Sequence, residues 1–268
     1  MKNTMKKIFG TKWHLMLKII PILALVAILK ALAHHFGIEF LTFSAFFGAL
    51  ISANIFLIGF ILSGVLSDYK EAEKIPGEIA SNIDSIADEF IYVHQSKNSP
   101  AGRSGFEYCR RFVDNLLAWF NKGIRTRNLM ESIDKFTAHF AAVETASQAT
   151  FISRIKQDQA AIRKQVLRVH TIRETSFSES AYAIAEAISI LLVAGMIFLR
   201  LDPYHESLFF ILFVAFILSY MLFLLRDLDN PFSYYEKDSV EKVSLRPIED
   251  LKSRLEAKAM KFGNKASQ

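Results

Sequence analysis

Asp227 and Asp229 are the first residues that could do chemistry, two carboxylates two positions apart behind an uncharged apolar run. Such a pair can act as general acid and base or hold a cation. At i and i+2 on a helix, however, the two side chains diverge, and no nearby His completes a ligand set. Capping and contacts between subunits are the plainer roles. Glu186 differs, because it lies within an apolar stretch. An ionisable group inside a membrane span is costly and usually faces a cavity or a partner, although the dipole near a helix start also favours a carboxylate. His34 and His35 fall in a short connection, as a pH-sensitive pair or as two solvated imidazoles. Arg103, Arg110, Arg111, Arg125 and Arg127 cluster and could attract anions or form a solvated charged face. Cys109 is the only cysteine, so neither a disulfide nor a thiolate metal site can form within the chain. Arg110 and Arg111 beside it would lower a thiol pKa, whereas a small helix residue without chemical role is the simpler reading. With no nucleophile beside a base, no metal-ligand spacing and no phosphate loop, neither an enzyme nor a cofactor is expected.

A second pattern concerns passage rather than reaction. Ser44, Gly48, Ser52, Gly59, Ser63 and Ser67 recur at steps of four, four, seven, four and four, which keeps them on one helical face. Phe56 fills the missing position and Phe60 lies one turn beyond. One reading is a small-residue face that lets helices pack closely in lipid. The other is a water-lined wall narrowed by rings of Phe, since hydrophobic constrictions gate ions by dewetting.

The elements that must position these residues are membrane spans. Ser207 to Leu225 supplies nineteen uncharged residues, about enough to cross a bilayer's hydrocarbon as a helix. Behind it, Arg226-Asp227-Leu228-Asp229-Asn230-Pro231-Phe232 brings three charges, a helix-stopping Pro and an aromatic. Phe40 to Ser67 is free of charge, with Asn54 its one strongly polar side chain. A third span runs from about Ala181 to Leu199. The first, about Trp13 to Phe36, is interrupted by Lys18 and Lys30, whose side chains can snorkel to the interface. A cleavable signal peptide competes for this segment, with Ala31-Leu32-Ala33 as its cleavage pattern; Lys30, between apolar core and pattern, argues against it. The connections at residues 34–39 and 200–206 are poor in Lys and Arg, so they should face outward and both termini the cytoplasm.

Residues 67–177 read as charged amphipathic helix with no strand pairs. Ile75, Ile79, Ile83, Ile86, Phe90 and Val93 form one apolar stripe, broken by Asn98-Ser99-Pro100-Ala101-Gly102. A second helix is expected over roughly Phe106 to Lys122. A third should start near Asn128 and continue through Leu129, Phe136, Phe140, Phe151 and Ile155 to Val169. The net charge of +5 does not point to nucleic acid. Its excess lies in Lys2, Lys6, Lys7, Lys12 and Lys18 and in nine Lys or Arg after Leu225, while residues 67–177 balance sixteen basic against fourteen acidic residues. Basic flanks beside spans are what orientation in a membrane requires.

The expected architecture is therefore all-α, a four-span transmembrane protein in four parts. Residues 1–66 hold the N-terminal flank and spans one and two, 67–177 the water-facing block, 178–228 spans three and four, and 229–268 the C-terminal elbow and tail.

Three separated segments carry a family resemblance. Gly59-Phe60-Ile61-Leu62-Ser63-Gly64-Val65-Leu66-Ser67-Asp68-Tyr69, running on to Glu78, resembles the bestrophin segment where the pore-lining helix enters the cytosol. Arg173-Glu174-Thr175-Ser176-Phe177, with Tyr182, is similar to the family's turn into its second helix pair. Asp229-Asn230-Pro231-Phe232 is similar to its Asn-Pro-Phe motif, here the cytoplasmic elbow. Bacterial bestrophin-like proteins match best, across most of the chain. The resemblance implies a homopentamer in the bacterial inner membrane, surrounded by lipid, conducting small inorganic ions, usually anions such as chloride but cations in some bacterial relatives, and not binding nucleic acid. It also implies a pore neck at Phe56 and Phe60 with Ser52 one turn earlier, and a pore face that includes Ser44, Gly48 and Ser63. A one-residue shift would move the neck to Ile51 and Ile55. Animal relatives follow the motif with Gly and a dense acidic run that binds calcium; here Ser233-Tyr234-Tyr235-Glu236-Lys237-Asp238 supplies few oxygen ligands, so calcium activation is not expected. The alternative to a channel is a non-conducting membrane scaffold whose cytoplasmic helices recruit a partner.

Overall fold

The computed structural model describes residues 14–175, 178–234 and 241–265. In chain order the helices are α1 His14–His35, α2 Ala45–Lys97, α3 Pro100–Phe120, α4 Thr126–Val143, α5 Ala149–Glu174, α6 Glu179–Ile197, α7 Tyr204–Asp229 and α8 Arg246–Lys265. The two strands, β1 Leu41–Thr42 and β2 Leu199–Arg200, pair in parallel. The chain divides into two compact units, one formed by residues 1–69, 176–231 and 238–241, the other by 70–175, 232–237 and 242–268.

The first unit holds the apolar helices. Among the described residues four helical stretches, those containing α1, α2, α6 and α7, are long and apolar enough to cross a membrane. Each coincides with an expected span to within a few residues, except α2, which starts later than Phe40 and runs on beyond Ser67. There the chain first pairs Leu41 with Leu199 and Thr42 with Arg200, a pairing not expected from the sequence and outside residues 67–177. Two short connections satisfy backbone groups on one another there. Ile58, Ile61 and Val65 of α2 pack with Ala185 of α6 and Leu218, Leu225 and Leu228 of α7.

A further correction concerns α2. One helix of 53 residues replaces a span followed by a separate amphipathic helix. At about 1.5 Å per residue it is about 80 Å long, against about 30 Å of bilayer hydrocarbon. Pro76 lies inside it, where it removes one backbone bond. The helix continues because Ile75, Ile79, Ile83, Ile86, Phe90 and Val93 are all fully buried, and burial of each is worth roughly 1.5–3 kcal/mol.

The second unit is built on that stripe. The break at Asn98-Ser99 stands, and Pro100 starts α3 in the first-turn position that suits its missing N–H. The helix thus begins six residues before Phe106. It ends by Lys122, whose φ of 57° no helix continues through. Close approach to α2 explains two of its glycines: a Cβ on Gly102 would lie 2.7 Å from the Phe90 carbonyl oxygen, and one on Gly105 would overlap the Phe90 ring. The expected third helix is two, α4 and α5, separated by a 3-10 turn at Glu144–Ala146 and by extended Ser147 and Gln148.

Residues 246–265, expected as part of the C-terminal tail, form α8. The signal was present: Ile248, Leu251 and Leu255 recur at steps of three and four, and all are buried. Ion pairs fasten the helix, Lys252 to Asp114 at 2.7 Å, Arg254 to Asp84 at 3.1 Å, and Lys258 to Asp84 and Asp88 at 3.0 and 2.5 Å. Burial disfavours the Lys258 ammonium, but hydrogen bonds and charge from Asp88 and Asp84 hold its pKa above the ordinary lysine value.

Candidate functional site

The first half of α2 has two unlike faces. Asn54, Ile58, Ile61 and Val65 are buried within the first unit. Ser44, Ser52, Phe56, Phe60, Ser63 and Ser67 are exposed, while Gly48 and Gly59 are half-buried. Phe56 and Phe60 are 76% and 71% exposed, whereas Ile51 and Ile55 are half-buried and pack against the apolar clusters. A Cβ on Gly59 would meet nothing within 4 Å, and one on Gly48 would make an ordinary contact with Phe43 at 3.5 Å. Gly48 and Gly59 on that face are therefore not needed for close packing within this chain.

Ser44 has a local task, for it precedes the first helical residue and its Oγ accepts from the Phe47 N–H at 3.2 Å. This is the N-cap bond that satisfies one of the four free N–H groups of a helix start. The Ser52 hydroxyl donates to the Gly48 carbonyl at 3.0 Å. On the opposite face the Asn54 amide donates to Ser189 Oγ at 2.8 Å, and Ser189 donates to the Ala185 carbonyl at 2.7 Å. A polar bond between apolar helices fixes their mutual rotation, because slipping it would strand an amide in a dry environment.

Ahead of α2, a latch holds the chain. Lys30 does not snorkel as expected: it is fully buried, and its Nζ reaches Glu39 at 2.5 Å and donates to the Leu199 carbonyl at 2.5 Å. A third contact, to the Ile197 carbonyl, is 3.4 Å long. The last carbonyls of α6 have no helical partner, and the ammonium supplies donors to the end of that helix. His34 Nδ1 lies 3.0 Å from the other Glu39 oxygen, and the His34 ring stacks on Tyr204 at 4.3 Å. His34 is thus an engaged residue, and His35 sits edge-on to Phe36 at 5.3 Å. Burial alone would raise the Glu39 pKa, but bonds from Lys30 and His34 and their charges hold it below the ordinary carboxylate value. Sequence spacing could not reveal this latch, since the bonded carbonyls lie 167 and 169 residues from Lys30.

Glu186 also has a partner, Arg226 at 2.5 Å. The pair lines a cavity among α1, α6 and α7. Asp227 accepts from the Glu241 N–H at 2.9 Å. Among the described residues no cluster of His, Cys, Asp and Glu could hold a metal ion.

Asp229 is the last residue of α7, and Asn230 follows it as C-cap. Pro231 closes that stretch of the first unit, and Phe232 opens a stretch of the second. Phe232 is fully buried and packs on Phe120 at 5.9 Å, as does Tyr234, which donates to the Val243 carbonyl at 2.6 Å. Arg173 meets the same spot, donating to the Phe120 carbonyl at 2.9 Å with its guanidinium 4.6 Å from the Trp119 ring. Stacking and hydrogen bonding use different parts of one planar cation. Two of the three matched segments thus converge on the end of α3. Ser176, Phe177, Tyr235, Glu236, Lys237 and Asp238, and the basic start Lys2 to Lys12, lie outside the described residues.

Cys109 is fully buried, and burial pushes its thiol far up rather than down. In the arginine cluster, Arg110 pairs with Glu107 at 2.8 Å, Arg127 with Glu131 at 3.1 Å, and Arg111 sits 5.8 Å from the Tyr108 ring.

Comparison with known proteins follows the same lines. A bacterial bestrophin homologue from Klebsiella pneumoniae, solved as a point mutant, matches with a TM-score of 0.75 at 15% identity, over 89% of this chain and 97% of its own. A second mutant of that homologue gives 0.71 at 13% identity, over 92% and 97%. A structure described only as a membrane protein gives 0.75 at 14% identity, over 88% and 97%. At these identities the likeness shows the fold. No curated protein matches the chain. The model of the Bestrophin-like domain matches residues 19–233, and the chain belongs to the Bestrophin-like family, whose members are membrane proteins of the ion-channel kind.

Proposed function

We propose that this chain forms a homopentameric ion channel in which the first half of α2 lines a central pore and passes small anions such as chloride down their gradient. The observation that carries this reading is the exposed face of α2. Two of its largest side chains, Phe56 and Phe60, stand out from the protomer one helical turn apart, in line with small and hydroxylated residues. A monomer in lipid has no use for Ser52, Ser63 and Ser67 on that face, whereas five such faces around an axis give a wall wetted by hydroxyls. Phe56 and Phe60 then form the neck, which opens and closes by wetting. Asn54–Ser189 and the Lys30–Glu39 latch hold α2 from behind, so the wall is stiff.

In this reading residues 67–177 form the water-facing block, with both termini on the cytoplasmic side of the bacterial inner membrane. Asp229, Asn230, Pro231 and Phe232 form the cytoplasmic elbow. Purified protein in planar bilayers should give unitary currents, and Phe60→Ala should raise conductance or open time. Particles imaged by cryo-EM should show five subunits. Silence from both wild type and Phe60→Ala in a correctly inserted pentamer would overturn conduction, and a monomer or dimer would overturn the pore geometry.

A further inference from the structure

A cavity of about 410 Å³ lies among α1, α6 and α7 of the first unit. Its walls are apolar except for Ser189 and Ser219 and one ion pair, Glu186 with Arg226. Ser189 is already engaged by Asn54. The pair sits at one end: Glu186 lies in the second turn of α6, Arg226 in the last turn of the antiparallel α7. From Glu186 to Ile197, the far limit of the lining on α6, eleven residues rise about 16 Å. The cavity is thus an apolar trough with a charged end.

We propose that this trough binds a zwitterionic aminophospholipid of the surrounding bilayer, its head on the ion pair and one acyl chain between α1 and α6. The inference rests on the membrane placement of these helices and not on conduction. Three observations favour this occupant. First, the trough is open, with Leu25, Leu29 and Ile190 of its lining 56%, 39% and 68% exposed. In a bilayer such a surface meets lipid before any other apolar molecule. Second, polarity is graded along it as in an amphiphile, with charge at one end and hydrocarbon along the rest.

Third, the charges match in number and kind. The side chains of Arg226 and Glu186 are 59% and 31% exposed, so each keeps bonding capacity beyond the other. A guanidinium presents a fork to two phosphate oxygens, and a carboxylate accepts from a primary ammonium. A head carrying both groups finds both partners. A phosphatidylglycerol head offers its phosphate to Arg226 and leaves Glu186 facing a second anion.

The test is native mass spectrometry of the full chain, purified from mixed micelles holding phosphatidylethanolamine and phosphatidylglycerol in equal amounts. The wild type should retain phosphatidylethanolamine preferentially. Glu186→Gln should cut that preference about tenfold, the effect of losing one charge-assisted bond. Val193→Trp, which fills the trough, should abolish retention while leaving the assembly's protein mass in the same spectra unchanged apart from the substitution. A phosphatidylethanolamine with a photoactivatable acyl chain should label Ile190 or Leu222 of the wild type, which keeps the proposal testable even if a variant fails to assemble. Equal retention of the two lipids, labelling confined to other faces, or a disulfide between subunits from Leu25→Cys with Ile190→Cys would overturn it. The last result would show a second copy of the chain in the trough.

Discussion

The two halves of α2 treat their large apolar residues in opposite ways. From Ile75 to Val93 the stripe is fully buried, and neighbouring α3 comes so close that Gly102 and Gly105 have no room for a methyl group. From Ser44 to Ser67 the helix buries one narrow face and leaves Phe46, Phe56 and Phe60 more than 70% exposed. One helix therefore carries a finished core and an unfinished one. The finished half is buried by its own chain, whereas the open half leaves one face uncovered, as the proposed pore axis and neighbouring subunits would require.

Mutations can break that contrast. Phe90→Ala removes a ring packed on Phe140 at 5.9 Å and should destabilise the full-length protein by about 3–5 kcal/mol, read from thermal unfolding in detergent. Lys30→Met leaves Glu39 with His34 alone and two carbonyls without their Lys30 donor, and should cost about 3 kcal/mol, showing that the open half depends on its latch. Gly102→Ala forces a methyl against backbone at 2.7 Å and should cost about 1–3 kcal/mol, while Gly59→Ala should change unfolding by less than about 0.5 kcal/mol. A loss at Gly59 equal to that at Gly102 would erase the distinction between the halves.

The smallest effect is a pH dependence. The folded pKa of Glu39 lies below its ordinary value of 4.5, so its contribution is complete above that pH and fades as pH falls through the folded value. Glu39→Gln should flatten that acid limb of the unfolding temperature. An unchanged acid limb would remove Glu39 from the account.

Much of the frame was legible before any coordinates. Uninterrupted apolar runs are a property of composition, so the four spans stood out, and so did the stripe from Ile75 to Val93. The alternation of Ser44, Ser52, Phe56 and Phe60 marks a face by spacing alone. What stayed hidden depends on partners far along the chain. The division of α4 from α5 falls at Ser147 and Gln148, with neither Gly nor Pro to announce it. Lys30 looked like a blemish in a span because its partners are a carboxylate beyond a turn and carbonyls at the end of α6. Strand pairing of Leu41 with Leu199 has no local signal at all. The matched Arg173 and Phe232 segments marked the end of α3 as important, but only geometry shows that they meet on Phe120.

Cys109 gives the chain a practical property. It is the sole cysteine, fully buried, and its thiol resists ionisation. Maleimide and methanethiosulfonate reagents need an accessible thiolate, so the natural sequence is already a silent background for labelling. Single cysteines placed in turn from Ser44 to Ser67 would be the only groups to react, and water-soluble reagent should modify positions 52, 56, 60 and 63 faster than positions 54, 58 and 61.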